Sequence, residues 1–232
     1  MESLITSEII QEILQNPPRS LDAIQAELLF LDGAYILHSK KNNIERYKYL
    51  SSTSLRNAFS GVPVDSGWLD SGVIRTGSNS AGSWIVKFIP PQIHTIISTE
   101  FGSLRVPLPL LVFIGANNKY SVWALKTKTF NPDAPLFYTP LPNVYQSGEI
   151  CWGNNHPPEC SPQSMNAAWE MFITSPFNNH LSNSKSQRNK DDICQHLAYL
   201  NSKKAKKYPI SDLQQPYMKS TTNSLIGAIA NE

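Results

Sequence analysis

The sequence predicts an α+β fold in which an antiparallel β-meander packs against helices. Strand-like segments follow one another at hairpin spacing between residues 83 and 125. A strongly amphipathic helix pattern follows these strands, from residue 162. Most of the 17 prolines precede Ser164, and proline suits loops and edge strands better than helix interiors.

The composition is that of a globular protein with one sizeable domain and some additions, or with two small domains. The chain has 232 residues, of which 41% are hydrophobic and 16% are charged. The formal net charge is +2, which is too mild for a nucleic-acid-binding protein, where a clustered basic face is expected.

Cysteine usage and the lack of long apolar runs indicate a cytoplasmic protein. Cys151, Cys160 and Cys194 form no disulfide pattern and favour a reducing compartment. Residues 1–20 carry acids within their apolar pattern and no basic segment, unlike a signal peptide. No apolar run approaches the ~20 residues that span a bilayer, so we expect no membrane association.

Residues 1–80 are predicted to form an N-terminal extension. Apolar residues at helical spacing predict a helix over residues 3–15. The segment from Ala26 to Ser39 predicts a hairpin with Asp32-Gly33 at its turn.

The rest of the extension is predicted to be a short helix over residues 52–61 and a loop over residues 60–82. The loop is rich in Gly, Ser and Asp. The remaining chain divides into a core over residues 81–182 and a C-terminal helix and tail over residues 183–232.

The strands of the core alternate between apolar and polar positions, and Trp84, Val86 and Phe88 share one face of the first. A turn at Asn117-Asn118 joins the last two. The strand segments are "SWIVKFI" from Ser83, "IHTIIST" from Ile93, "PLLVFIG" from Pro109 and "YSVWAL" from Tyr120.

The main helix is predicted over residues 162–174. Ser161 is suited to cap it, and Pro162 to its first position. Its apolar face consists of Met165, Ala168, Trp169, Phe172 and Ile173.

A polar linker over residues 177–189 follows the main helix, and a second helix is predicted over residues 191–201. Ile193, Leu197 and Leu200 point inward from it. The last twenty-odd residues show only a weak pattern.

Between the strands and the main helix lies "LPNVYQSGEIC", from Leu141 to Cys151. Pro142 precedes Asn143, and Ser147-Gly148 indicates a turn between Asn143 and the cysteine. A cysteine near an asparagine that prolines hold in place is a candidate nucleophile beside a hydrogen-bonding amide.

This stretch resembles the active-site segment of ubiquitin-conjugating enzymes. In that family His-Pro-Asn precedes the catalytic cysteine, and Trp-Ser-Pro, an amphipathic helix and a loop follow. Here Pro142-Asn143, Cys151 and Ser161-Pro162 stand in the same order. Segments such as "PLFYTPLPNVYQSGEICWGN" and "LAYLNSKKAKKYPISDL" resemble prokaryotic family D of the superfamily, the B proteins of bacterial PRTRC cassettes.

The resemblance implies a ubiquitin-conjugating (UBC-like) fold and acyl transfer. Cys151 would accept the C-terminal glycyl group of a ubiquitin-like modifier as a thioester and pass it to an acceptor. Asn143 would either donate a hydrogen bond to the developing oxyanion or brace the loop around the cysteine. The implied partners are a ThiF-like adenylating enzyme, the modifier and a JAB-type metallopeptidase; no cofactor or metal is implied.

The sequence departs from the family pattern in three places. Leu141 stands where the family has histidine, and Cys160 where it has tryptophan. The loop after the main helix has no acid before Asp191 to deprotonate an incoming lysine, and offers Asn178, Asn179 and His180 instead. These departures leave a second function open, namely an inactive variant of the fold that binds a ubiquitin-like partner.

Other interpretations of the same residues remain. Cys151 could be a core cysteine, and Asn143 could cap a turn through its side chain. Cys151, His156 and Cys160 could ligate zinc with His180 or His196, although the spacing matches no common zinc motif. Cys151 and His180 could also form a cysteine protease pair.

Overall fold

A computed structural model describes residues 26–31, 34–41, 44–55, 68–79 and 82–230. The contacts divide the chain into one unit over Met1–Asp65 and another over Ser66–Glu232. The predicted helix over residues 3–15 and the turn at Asp32-Gly33 lie outside the described residues. The predicted division at residues 80 and 182 stays a prediction.

In the first unit, three antiparallel strands form one sheet in chain order. They are β1 (Ala26–Leu31), β2 (Ala34–Lys41) and β3 (Ile44–Leu50). The β1–β2 pairing confirms the predicted hairpin, whereas β3 was not predicted. In β3 the charged residues Arg46 and Lys48 alternate with Tyr47 and Tyr49, a strand-like pattern that the prediction missed. Of the short helix predicted over residues 52–61, residues 52–55 are described, and they are helical.

The second unit contains the predicted antiparallel strands in two sheets. One sheet has the order β10-β9-β8-β5-β4, and the other has the order β11-β6-β7. The strands are β4 (Val73–Asn79), β5 (Gly82–Ile89), β6 (Gln92–Ser98), β7 (Gly102–Leu108), β8 (Leu110–Ala116), β9 (Lys119–Leu125), β10 (Phe137–Tyr138) and β11 (Pro176–Phe177).

The two sheets share one bent hairpin, because β5 continues into β6 and β7 into β8. Ile89 pairs with Leu111 and Gln92 with Leu108, so the register is the same on both sides of the bend. Pro90-Pro91 occupy the gap between β5 and β6, where proline cannot donate to the ladder. The strands therefore follow one another as an antiparallel meander, as predicted, but the prolines divide it into two sheets.

The prediction that residues 60–82 form only a loop was wrong. β4 pairs with β5 over Val73–Asn79, although its sequence is rich in Gly and Ser. At Gly77 a Cβ atom would overlap the ring of Trp84, so the glycine makes room for the tryptophan of the neighbouring strand. β7 was not predicted either.

The main helix, α1 (Met165–Ile173), begins three residues later than predicted. The Ser164 N–H donates to both the side-chain and the backbone oxygen of Ser161, at 3.1 Å each, so residues 161–164 form a separate turn. The Ser164 hydroxyl donates to the Glu159 carbonyl instead of capping the helix. The predicted apolar face is confirmed, because all five of its residues are buried.

Two further helices follow α1. The second, α2 (Ile193–Ser202), confirms the prediction, and Asp192 caps it by accepting from the Cys194 N–H at 2.8 Å. A 3₁₀ turn spans Ile210–Asp212, and α3 spans Thr222–Ala230 in the tail where we predicted no element.

The five-stranded sheet is buried on both faces. On one face Phe113 and Tyr120 pack with Trp169 and Phe172 of α1 and Leu197 of α2. On the other face a second cluster contains Trp84, Val112, Trp123 and Leu136, with Ile226 of α3. Within the described part of the chain, no helix is long and apolar enough to cross a membrane.

Candidate functional site

The segment from Leu141 to Cys151 folds back on itself as a tight loop. Val144 and Ile150 form an antiparallel bridge, and the Tyr145 N–H donates to the Glu149 carbonyl at 2.8 Å. Gly148 has φ +83°, and a Cβ atom there would overlap the Trp123 ring. The predicted turn is present, and both its backbone and its surroundings require glycine.

The residues after the turn, Gly148 to Ile150, are hydrogen-bonded to the edge of β9. The Ile150 N–H donates to the Tyr120 carbonyl, and the Val122 N–H donates to the Gly148 carbonyl, each at 2.9 Å. Cys151 comes directly after this pairing, so the buried sheet fixes where the cysteine emerges.

Asn143 is held at both its backbone and its side chain. Its carbonyl accepts from the Cys151 N–H at 2.8 Å, and its φ is +58°. Asparagine tolerates this left-handed conformation better than most residues do. Its side-chain Nδ2 donates to the Pro176 carbonyl at 3.0 Å, which links the cysteine loop to the segment after α1.

Cys151 and Asn143 line the same pocket. The pocket is open to solvent and has a volume of about 280 Å³. Cys151 is half-buried, whereas Cys160 and Cys194 are buried. The pocket residues are mainly uncharged and rich in amides: Asn143, Cys151, Trp152, Gly153, Asn154, Asn155, Ser175, Pro176, Asn178, His180 and Leu181.

The three cysteines differ in their electrostatic surroundings. Burial raises the pKa of the Cys160 thiol and that of the Cys194 thiol to about 12 each. Both therefore remain protonated at neutral pH, and protonated thiols are poor nucleophiles. Of the three, Cys151 is the one that a second protein can reach.

Tyr145 is a neighbour of Cys151 that the sequence did not single out. A side-chain hydrogen bond with Cys151 and the charge of its thiolate raise the pKa of the Tyr145 phenol. Tyr145 is 43% exposed, so its side chain is open to solvent. The tyrosine lies in the quoted stretch, but only the turn at Gly148 brings it back toward the cysteine.

Lys185 is a second residue that we did not predict, because it lies in the stretch interpreted as a polar linker. Its side chain is buried, and Nζ donates to the carbonyls of Leu141 and Val144 at 2.7 and 2.6 Å. These two residues flank Pro142-Asn143. Burial lowers the pKa of Lys185 to about 7.

The candidate zinc ligands, all of which are described, do not form one cluster in the structure. Cys160 is buried beside the Met165 sulfur, and His196 Nε2 lies 3.3 Å from Asp212 Oδ2. Within the described ranges, no three His, Cys, Asp or Glu side chains are grouped so that they could hold a metal ion. His180, by contrast, lines the pocket together with Cys151.

A comparison with models of known protein families finds a match. The family model described as prokaryotic E2 family D matches residues 46–216, a range that includes every residue lining the pocket. Searches of curated proteins and of solved structures find no match.

Proposed function

Since the chain belongs to prokaryotic E2 family D, we propose that it is a conjugating enzyme that carries a ubiquitin-like protein as a thioester on Cys151. E2 is the usual designation of ubiquitin-conjugating enzymes. The observation that carries the proposal is the position of Cys151, half-buried at an open pocket and hydrogen-bonded through its N–H to Asn143.

In the loading step, the Cys151 sulfur attacks the C-terminal carbonyl of the modifier, which arrives as a thioester on a ThiF-like adenylating enzyme. A new C–S bond forms at Cys151, the bond to the donor sulfur breaks, and the donor leaves as a thiolate that takes up the proton lost by the Cys151 thiol. The amide-rich, uncharged pocket suits an extended glycine-containing tail, whose peptide groups need hydrogen-bond partners rather than charges.

In the discharge step, an acceptor amine attacks the thioester carbonyl. The C–N bond forms, the C–S bond breaks, and Cys151 leaves as a thiolate while the amine loses a proton. We assign that proton to His180, because His180 and Cys151 are the titratable side chains among the described residues that line the pocket. A neutral imidazole can act as this general base.

We assign Asn143 the bracing role. Its Nδ2 is engaged by the Pro176 carbonyl, so its amide joins the two walls of the pocket. This contact supports bracing over direct polarisation of the oxyanion.

The resemblance to B proteins of PRTRC cassettes suggests which proteins act together with this one. In such a cassette, the modifier and the adenylating enzyme are the direct partners, and a JAB-type metallopeptidase is a further one. A cysteine that must remain a thiol also favours the cytoplasm.

The test is reconstitution with the ThiF-like enzyme and the ubiquitin-like protein of the same organism, in the presence of ATP. Wild type is expected to form an adduct that thiol reductants remove, and Cys151→Ser none of that kind. Cys160→Ala and Cys194→Ala are matched controls that remove buried cysteines and should load normally.

A reductant-labile adduct on Cys151→Ser would overturn the assignment of the nucleophile. If the adenylating enzyme loads itself but wild type never accepts the modifier, while still binding it, the protein is a binding module of the same fold.

A further inference from the structure

Lys185 is a buried lysine without a carboxylate partner among the described residues. Its relative exposure is 3%, and none of the ion pairs in the described ranges includes it. A buried ammonium is unfavourable unless hydrogen bonds compensate it. Here the carbonyls of Leu141 and Val144 do so, at 2.7 and 2.6 Å.

These two carbonyls flank the residue that closes the cysteine loop. Leu141 and Val144 are buried and Asn143 lies between them, with its carbonyl bonded to the Cys151 N–H. A single amino group therefore holds the backbone on both sides of Asn143. If Lys185 is removed, two buried carbonyls lose their donor, and solvating them requires the loop to open.

The backbone around Lys185 is itself anchored to the C-terminal part of the unit. The Ser184 N–H donates to the Lys190 carbonyl at 2.6 Å, and Ser186 forms a bridge with Leu213. The Gln187 N–H donates to the Asp212 carbonyl at 2.9 Å. The backbone on both sides of Lys185 is therefore held by residues outside the cysteine loop.

The next residues extend this anchor into the core. Asp212 Oδ1 accepts from the Arg188 N–H at 2.8 Å, and Asp212 Oδ2 accepts from the buried Tyr208 hydroxyl at 3.0 Å. The support behind Lys185 therefore includes both backbone pairing and a buried side-chain network.

We propose that Lys185 is a positioning residue for acyl transfer: its side chain fixes the loop that sets Asn143 and Cys151 relative to each other. The inference rests on the proposed function for its catalytic consequence, but the loop contact exists independently of it. Leucine at position 141 offers no side-chain hydrogen bond of its own, and the lysine supplies the donor from the opposite side of the loop.

The experiment compares Lys185→Met with Lys87→Met by residue-resolved hydrogen exchange. Met is unbranched like lysine and keeps most of its apolar stem, but it removes the donors. Lys87 is a matched control because it is also buried and donates to the Ser71 carbonyl and, at 2.6 Å, to Asn166 Oδ1. None of these residues lines the Cys151 pocket.

Lys185→Met is expected to speed exchange of the Cys151 N–H about tenfold or more, while the N–H of Val112 in the buried sheet is unchanged. Lys87→Met should leave the Cys151 N–H as in wild type. An unchanged Cys151 N–H in Lys185→Met would overturn the proposal, as would equal acceleration of the Cys151 and Val112 N–H groups, because the lysine would then be a general stabiliser.

A second variant and a kinetic assay keep the result interpretable. If Lys185→Met does not fold, Lys185→Leu, which also removes the donors, replaces it and should show the same acceleration; wild-type exchange in this variant would overturn the proposal. In reconstitution, Lys185→Met should slow discharge to an amine without changing the KM for loading. If wild type does not load, the proposed function fails, whereas the exchange result still decides the role of Lys185.

Discussion

The backbone N–H of Cys151 donates to the carbonyl oxygen of Asn143 at 2.8 Å, and this bond closes the loop between the two predicted site residues. Because it joins main-chain atoms, it can persist when either side chain is replaced. Substitutions at positions 143 and 151 therefore test the chemistry of the side chains while this bond can still hold the loop closed.

The first prediction concerns thiol reactivity. Cys151 should be alkylated faster than Cys160 and Cys194 in the folded protein, because it lines an open pocket while burial raises the pKa of the other two thiols to about 12. Peptide mass mapping after brief treatment with iodoacetamide measures the three rates. Denatured protein is the control and should lose the difference; equal protection of all three in the native state would show Cys151 to be a core cysteine.

The second prediction separates the side chain of Asn143 from its backbone conformation. Asn143→Gly and Asn143→Ala both lose the hydrogen bond to the Pro176 carbonyl, but only alanine is strained at φ +58°. We expect alanine to be less stable than glycine by about 1 kcal/mol. Urea denaturation measures this difference.

Both Asn143 variants should still accept the modifier, and both should discharge it more slowly than wild type by a similar factor. If glycine discharges like wild type and alanine does not, backbone strain explains the defect and the bracing role of the amide is wrong.

The geometry of the candidate site was predictable from sequence where its signals are local. Pro142, Asn143 and Gly148 are turn-forming residues next to Cys151, and the apolar face of α1 repeats at helical spacing. The structure places Asn143 and Cys151 in one pocket, and the buried face of α1 is the predicted one.

The parts that were missed depend on distant residues. β4 has a weak strand sequence, and the pairing is favoured because Trp84 of β5 packs over Gly77. Lys185 looks like a solvated lysine in its polar surroundings. Only the folded chain brings the carbonyls of Leu141 and Val144 close enough to compensate its burial.

The third prediction concerns the turn before the cysteine. Gly148→Ala should destabilise the protein by roughly 1 kcal/mol or more, because alanine would be strained at the positive φ and its Cβ atom would overlap the Trp123 ring. Gly153→Ala is the matched control, since Gly153 also has a positive φ, of +58°, but a Cβ atom there meets nothing within 4 Å. Chemical denaturation compares the two, and equal losses of stability would mean that Trp123 does not restrict the turn.

The fourth prediction is a pH dependence of stability from Lys185. Burial lowers its pKa from 10.5 in the unfolded chain to about 7 in the folded protein. Between these values the unfolded chain binds a proton that the folded protein lacks, so stability should rise with pH across this window and the contribution should be constant below it. The slope is at most about 1.4 kcal/mol per pH unit.

Urea denaturation from about pH 6 to about pH 10 should show this extra slope in wild type relative to Lys185→Met. Cys194, the titratable group that faces Lys185, is present in both proteins, and burial raises its pKa to about 12, above the window. Lys119→Met removes an exposed lysine and should keep the wild-type slope. If wild type and Lys185→Met have parallel profiles, Lys185 keeps its proton throughout and the two carbonyls compensate its charge completely.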